Sequence, residues 1–154
     1  MFINKSKLYT MQHVHWLGSG LSSLPGIRRL AERLENFTVW NRTLSKAQKS
    51  LDHVNKTNVK AKTFDINNII SEIKSGDIII SQLPANKHIE IAKICLEHNC
   101  HFASTSYLSD EIKKLNNDVK KQNLTFINEV GLDPGIDHFF SHLLVKELKN
   151  KNLN

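Results

Sequence analysis

Short apolar runs alternate along this chain with stretches whose apolar residues recur at helical spacing. Val14-His-Trp-Leu17 stops at Gly18, after which Leu21, Leu24, Ile27, Leu30, Ala31 and Leu34 share one helical stripe. That spacing predicts a strand, a glycine turn and a helix over 21–34. Phe37-Thr-Val-Trp40 reads as a second strand, followed by polar Asn41-Arg42-Thr43 and a helix over 44–51. Residues 59–64 form a third strand, less apolar and nearer an edge, and 66–73 a short helix. Asp77-Ile-Ile-Ile-Ser81, after Gly76, has the β-branched run of a strand covered on both faces of a parallel sheet. A helix from Ala85 or Asn86 to His98 leads to a short strand, His101-Phe-Ala103. A further helix over 110–122 carries Ile112, Leu115 and Val119, and Leu124-Thr-Phe-Ile127 is the sixth strand. From Gly135 the pattern is helical again, with Phe139, Phe140, Leu143, Leu144 and Leu148.

Six strands separated by helices predict an α/β fold, a Rossmann-type doubly wound parallel sheet of about six strands with right-handed crossovers. At 154 residues the chain has room for one domain with its own core. The expected division is a nucleotide-binding domain over 12–134 and a connecting helix with a C-terminal tail over 135–154. The apolar share of 40% is that of a globular chain, and no segment is apolar for the length of a membrane span. Residues 1–10 lack the apolar centre of a signal peptide, so a cytoplasmic location is expected, and Met11 is an alternative start. The net charge of +6 comes from lysines scattered over several helices, not clustered among aromatics, which argues against a nucleic-acid partner. Cys95 and Cys100, the two cysteines, fit no disulfide framework, and with His98 and His101 they match no zinc spacing. They are read as small core thiols, and no metal is expected.

The chemistry gathers where strands end. Gly18-Ser-Gly20-Leu-Ser-Ser23 occupies the first strand-to-helix turn, where a dinucleotide fold sets the pyrophosphate against backbone amides. Ser23 stands where the fingerprint has its third glycine, at a small expected cost in packing closeness, and Pro25 fits only in the helix's first turn. Asn41-Arg42-Thr43 closes the second strand without a carboxylate; a guanidinium and a hydroxyl there suit the 2′-phosphate of NADP better than the free ribose of NAD. The competing reading makes Arg42 a solvated charge and Thr43 a helix cap. Asp65 either reaches the adenine region or caps the helix over 66–73. Ser81-Gln-Leu-Pro84 lies at the expected switch point, with Leu83 and Pro84 as an apolar wall. His88 either points into the cleft or is a surface residue of a first helical turn. Ser104-Thr-Ser-Tyr107 offers hydroxyls for a ribose or a carboxylate, or is a helix-entry loop capped by Ser109 or Asp110. In Asn128-Glu-Val-Gly-Leu-Asp-Pro-Gly-Ile-Asp-His138, Gly131 and Gly135 are expected to admit a ligand close to the backbone, Pro134 stiffens the corner, and Asp133, Asp137 and His138 crowd polar groups there.

This last run closely resembles the Asn-Glu-Ile-Gly-Leu-Asp-Pro-Gly-Ile-Asp-His signature of the glutamate-forming saccharopine dehydrogenases. The similarity extends from Trp16 to about Leu144 and is strongest at the first turn, at Leu83-Pro84, at Thr105 to Tyr107 and in 128–138. It implies that Ser19, Gly20, Leu21 and Ser22 meet the NADP pyrophosphate, with Gly18 forming the turn. Asn41, Arg42 and Thr43 would meet the adenosine phosphate, and Thr105 and Ser106 the nicotinamide ribose, with Leu132 and Pro134 beside the cofactor. Ser106, Tyr107 and Asp133 would touch saccharopine, Asp133 pairing with its ammonium. The implied reaction oxidises saccharopine to glutamate and aminoadipate semialdehyde in lysine metabolism.

Family members continue into a second α/β domain for the substrate, so the resemblance also implies that this chain is the cofactor-binding half, with the substrate domain absent. No general acid or base is assigned. The expected partners are an amino-acid substrate and either a homodimer or the missing C-terminal half; Phe139, Phe140, Leu143 and Leu144 look in need of a cover. Two other readings stay open: a reductase for another secondary amine of carboxynorspermidine or opine type, and a non-catalytic nucleotide-binding module.

Overall fold

The computed structural model describes residues 12–151, so Met11 and the last residues of the tail lie outside it. Six strands, β1 (Val14–Leu17), β2 (Phe37–Asn41), β3 (Val59–Thr63), β4 (Ile78–Ser81), β5 (His101–Ser104) and β6 (Phe126–Ile127), pair in the order β3-β2-β1-β4-β5-β6. Every pairing is parallel. The chain winds outward from β1 to β3, then returns to β4 on the other side of β1. That reversal opens a crevice between the C-terminal ends of β1 and β4. Register makes the two ends flush, since Leu17 stands opposite both Trp40 and Ser81. The less apolar third strand is an edge strand, as its composition predicts.

Alternation along the strands supplies two cores. Val14, Trp16, Phe37 and Val39 face α1 (Leu24–Arg33) and α2 (Leu44–Ser50), burying Ile27, Ala31 and Ala47. Leu17, Trp40, Ile79 and Phe102 face the other layer, which contains α3 (Ile66–Ile70), α4 (His88–Glu97) and α5 (Asp110–Lys114). Cys95 and Cys100 are buried free thiols of this second core, and burial pushes both well above the ordinary thiol range, Cys100 to about 11.

Two helices are interrupted where the pattern reads as continuous. The one read over 21–34 starts as a 3-10 turn, Leu21–Ser23, before α1, because Pro25 has no N–H to give the Leu21 carbonyl as an α-helix begun at Leu21 requires. Leu21 therefore leaves the apolar stripe and is 90% exposed. The helix read over 110–122 breaks at Leu115 into α5 and α6 (Asn116–Lys121), where Leu115 N–H bonds Ile112 and Asp118 N–H bonds Leu115 in the tighter three-residue pattern. The last helix, α7 (Ile136–Asn150), has the predicted apolar residues but buries none of them among the described residues.

A polar network lies within the sheet, near the start of β1 and β4. The Trp40 indole N–H can only donate, and it bonds His15 Nδ1 at 3.1 Å, so the His15 proton sits on Nε2, 3.3 Å from Asp77 Oδ2. Asp77 also accepts from the backbone N–H of Lys74 at 2.8 Å and of His13 at 3.2 Å. His13 stacks on His15 and lies 2.8 Å from Thr38 Oγ1. Burial raises the Asp77 carboxyl, but the bonds from His15, Lys74 and His13 outweigh it and hold the group below its ordinary range. Burial depresses His13 from 6.5 to about 4.

Candidate cofactor cleft

The glycine turn follows β1. Gly18 has φ of 101°, and a Cβ there would meet the Gln82 carbonyl oxygen at 2.9 Å, so the strand end admits no side chain. Trp16 fixes the turn from beneath by donating its indole N–H to the Gly18 carbonyl at 2.8 Å. Gly20 differs: its backbone is extended, and a Cβ would find only Ser23 Oγ at 3.9 Å. Nothing in the fold itself demands glycine at position 20, which leaves an open backbone face suited to an approaching phosphate. Ser23, in place of the third fingerprint glycine, is buried and donates its hydroxyl to the Gly20 carbonyl at 2.9 Å. The close approach of helix to sheet occurs one turn later, at Gly26, where a Cβ would stand 2.8 Å from the Trp16 ring. Ser19, Leu21 and Ser22 complete the turn, Leu21 and Ser22 both exposed.

At the end of β2, Asn41 donates through its amide to Ser19 Oγ at 2.8 Å and accepts from Thr43 N–H at 2.9 Å. It ties the β2 turn to the glycine turn. Arg42 is exposed beside it. Thr43 occupies the N-cap of α2 without a side-chain cap bond, while Asp65 Oδ1 does cap α3 by accepting from Asn67 N–H at 2.9 Å.

The ends of β4 and β5 meet across the switch point. Thr105 donates to Gln82 Oε1 at 3.3 Å, and Ser104 to Asn128 Oδ1 at 3.1 Å. Leu83 packs against the second core, and Pro84 starts the 3-10 turn that leads to α4. His88, read as cleft-facing or surface, is 3% exposed: its ring bridges Ser81 Oγ at 2.9 Å and Ser106 Oγ at 2.8 Å. Burial lowers its basicity. Ser109, not Asp110, caps α5, accepting from Ile112 N–H at 3.3 Å.

The loop from β6 to α7 folds over these ends. Its backbone bonds the β5 exit through Glu129 N–H to Ser106 O and Val130 N–H to Ser104 O. Gly131 and Gly135 then bridge each other, and Ile136 and Asp137 return their N–H groups to Gly131 and Leu132. With φ of 143°, Gly135 has no room for a Cβ because the carbonyl oxygens of Gly131 and Glu129 lie against it. At Gly135 the backbone that the glycine admits is thus the loop's own, whereas Gly131 lines the cleft described below. Asp137 accepts from Gly135 N–H at 2.7 Å and so serves the same closure, and exposed His138 lies beside it. Tyr107 donates to Asp133 Oδ1 at 2.8 Å, a bond that raises the phenol's pKa.

Between the turn and this loop lies a cleft of about 550 Å³, bounded by Ser22 and Ser23, by Gln82 and Thr105, and by Leu132 and Asp133. Its polar groups converge from four separate segments onto an apolar floor that includes Trp16 and Ile80. The open face of Gly20 and the hydroxyl-rich rim suit a dinucleotide. Sequence reasoning missed Gln82 and Asn128 as braces of this rim; both stand at strand ends, but what they bond depends on which strands become neighbours.

A parallel sheet of this winding, with a glycine turn at its switch point and an open cleft above it, defines a nucleotide-binding domain of the doubly wound class. The chain belongs to the family of the saccharopine dehydrogenase NADP binding domain, which matches residues 14–127. Saccharopine dehydrogenase [NADP(+), L-glutamate-forming] of Schizosaccharomyces pombe is 32% identical over 142 residues, covering 90% of this chain and 31% of that protein. The mitochondrial alpha-aminoadipic semialdehyde synthase of Rattus norvegicus is 30% identical over 152 residues, covering 92% of this chain and 15% of that protein. Apo saccharopine dehydrogenase (L-Glu forming) of Saccharomyces cerevisiae superposes with a TM-score of 0.73 at 28% identity, over 90% of this chain and 32% of that one. The chain therefore spans about a third of the dehydrogenases it matches. Family membership assigns NADP as the domain's cofactor. No helix among the described residues is long and apolar enough to cross a membrane.

Proposed function

We propose that this chain is the NADP-binding part of an oxidoreductase that oxidises saccharopine to glutamate and aminoadipate semialdehyde in lysine metabolism. The observation that carries this reading is the single cleft joining the glycine turn, the switch-point ends of β4 and β5, and the Leu132-Asp133 loop. Residues 12–134 form the nucleotide-binding unit, and 135–154 the connecting helix and tail. In this reading the amides of Ser19 to Ser22 receive the pyrophosphate, and Arg42 with Thr43 receives the 2′-phosphate. Asn41 holds the two turns together, while Asp65 has its cap to fulfil and lies at the adenine side. Leu83, Pro84, Leu132 and Pro134 line the cofactor, and Thr105 and Ser106 face its nicotinamide ribose. Bound NADP supplies the hydride acceptor; the protein supplies position and electrostatics. Tyr107 fixes one oxygen of Asp133, and that orients the carboxylate toward a substrate ammonium. The remaining substrate contacts belong to a partner segment or second copy seated on α7.

Titration of the purified chain with NADPH and NADH, followed by nicotinamide fluorescence, tests the cofactor assignment. NADPH is expected to bind at least about tenfold more tightly, and Arg42→Ala to remove that preference, because a charge-assisted bond to phosphate is lost. Equal binding of both nucleotides, or an Arg42→Ala variant that still prefers NADPH, would overturn it.

A further inference from the structure

His88 opens α4 directly behind the switch point, and both of its ring nitrogens are engaged. Ser81, fully buried at the end of β4, meets Nδ1 at 2.9 Å, and Ser106, on the loop after β5, meets Nε2 at 2.8 Å. The Phe102 ring packs edge-on against the imidazole at 6.3 Å and prevents it from turning away. One partner is thus fixed in the sheet, while the other is only partly buried and adjoins Thr105 on the cleft wall. A serine hydroxyl is a rotor that can present either its proton or its lone pairs. Ser81 is a rotor as well, so either ring tautomer satisfies this hydrogen-bonded chain, and what the held imidazole fixes is the direction in which the Ser106 oxygen makes one of its bonds. The ring does so without introducing a charge, since burial and the positive end of α4 both favour the neutral ring.

We propose that His88 is a positioning residue: anchored by Ser81, it orients the Ser106 hydroxyl toward the nicotinamide-ribose half of a bound dinucleotide. The inference rests on the reading of this cleft as an NADP site. Calorimetric titration of the whole 154-residue chain with NADPH and with adenosine 2′,5′-bisphosphate, which carries the adenosine half alone, separates the two. His88→Leu and Ser106→Ala should each weaken NADPH binding up to about tenfold, the worth of one oriented hydrogen bond. Each should leave the bisphosphate affinity unchanged, and the double variant should be no weaker than either single one, because both remove the same interaction.

In the unmutated chain, the ¹⁵N signals of the His88 ring should move on addition of NADPH but not of the bisphosphate. This keeps the test decisive even where His88→Leu fails to fold. Unchanged NADPH affinity in the variants, equal loss for both ligands, additive losses, or ring signals indifferent to NADPH would each overturn the role of His88 alone. An unmutated chain that binds neither ligand would overturn the cofactor reading and this inference with it.

Discussion

Gly20 and Gly26 are six positions apart, yet the fold uses them for opposite purposes. A methyl at Gly26 would press on the rigid, buried ring of Trp16, with a Cβ contact of 2.8 Å. Gly26→Ala should therefore cost about 1 kcal/mol net, overpacking of roughly 2 kcal/mol being partly offset by about 1 kcal/mol of helix propensity. A fall in melting temperature of about 2–4 °C would show it. At Gly20 the same methyl meets only Ser23 Oγ, at an ordinary contact distance of 3.9 Å, so Gly20→Ala should leave the melting temperature within about 2 °C while weakening NADPH binding about tenfold or more, because the methyl stands where the pyrophosphate approaches. Thermal melts paired with NADPH titrations check both variants. A large fall in the stability of Gly20→Ala would show that the turn, not a ligand, needs that glycine. The first glycines of the motif were legible from their place after β1, whereas Gly26 gave no signal, because its contact with Trp16 depends on how closely α1 approaches the sheet.

At the scale of elements, β1, β2 and β4 are held by apolar contact and also by the His13, His15, Thr38, Trp40 and Asp77 network. Unfolding returns His13 to its ordinary value of 6.5 from about 4. The unfolded chain thus binds the extra proton between those values, and stability is full above about pH 6.5 and declines as pH falls toward 4. His88, also depressed by burial, acts in the same direction. Asp77, held below its ordinary value of 3.8, adds a loss that begins below that value. Unfolding free energies from denaturant titrations between pH 7.5 and 4 should fall by roughly 1–3 kcal/mol in total. Replacing His13 with Gln should flatten the upper part of the curve; an unchanged slope would remove His13 from the account. Strand positions were legible because a strand covered on both faces must be a run of apolar residues. The network was not, since His15 and Asp77 are 62 residues apart and meet only once β1 and β4 become neighbours. The break at Leu115 was equally hidden: no proline or glycine marks it.

At the scale of the whole molecule, α7 carries the longest run of uncovered apolar side chains among the described residues. Phe139, Phe140 and Leu144 are 63%, 58% and 61% exposed, a density of apolar surface that water does not favour on a 15-residue helix. Sedimentation velocity of the purified chain should show concentration-dependent self-association, and a variant with Phe139, Phe140, Leu143 and Leu144 all changed to Ser should sediment as a monomer while keeping its NADPH affinity. A chain that stays monomeric at high concentration would argue against a second copy as the cover. The polar network and the cleft also lie toward opposite ends of the same strands. Residues that hold the sheet together are therefore not those that select the ligand, and the two sets can change at different rates. Arg42 and Thr43 could be exchanged for an acidic pair to favour NAD without disturbing His15 or Asp77, so this scaffold should tolerate redesign of its cofactor choice better than repair of its foundation.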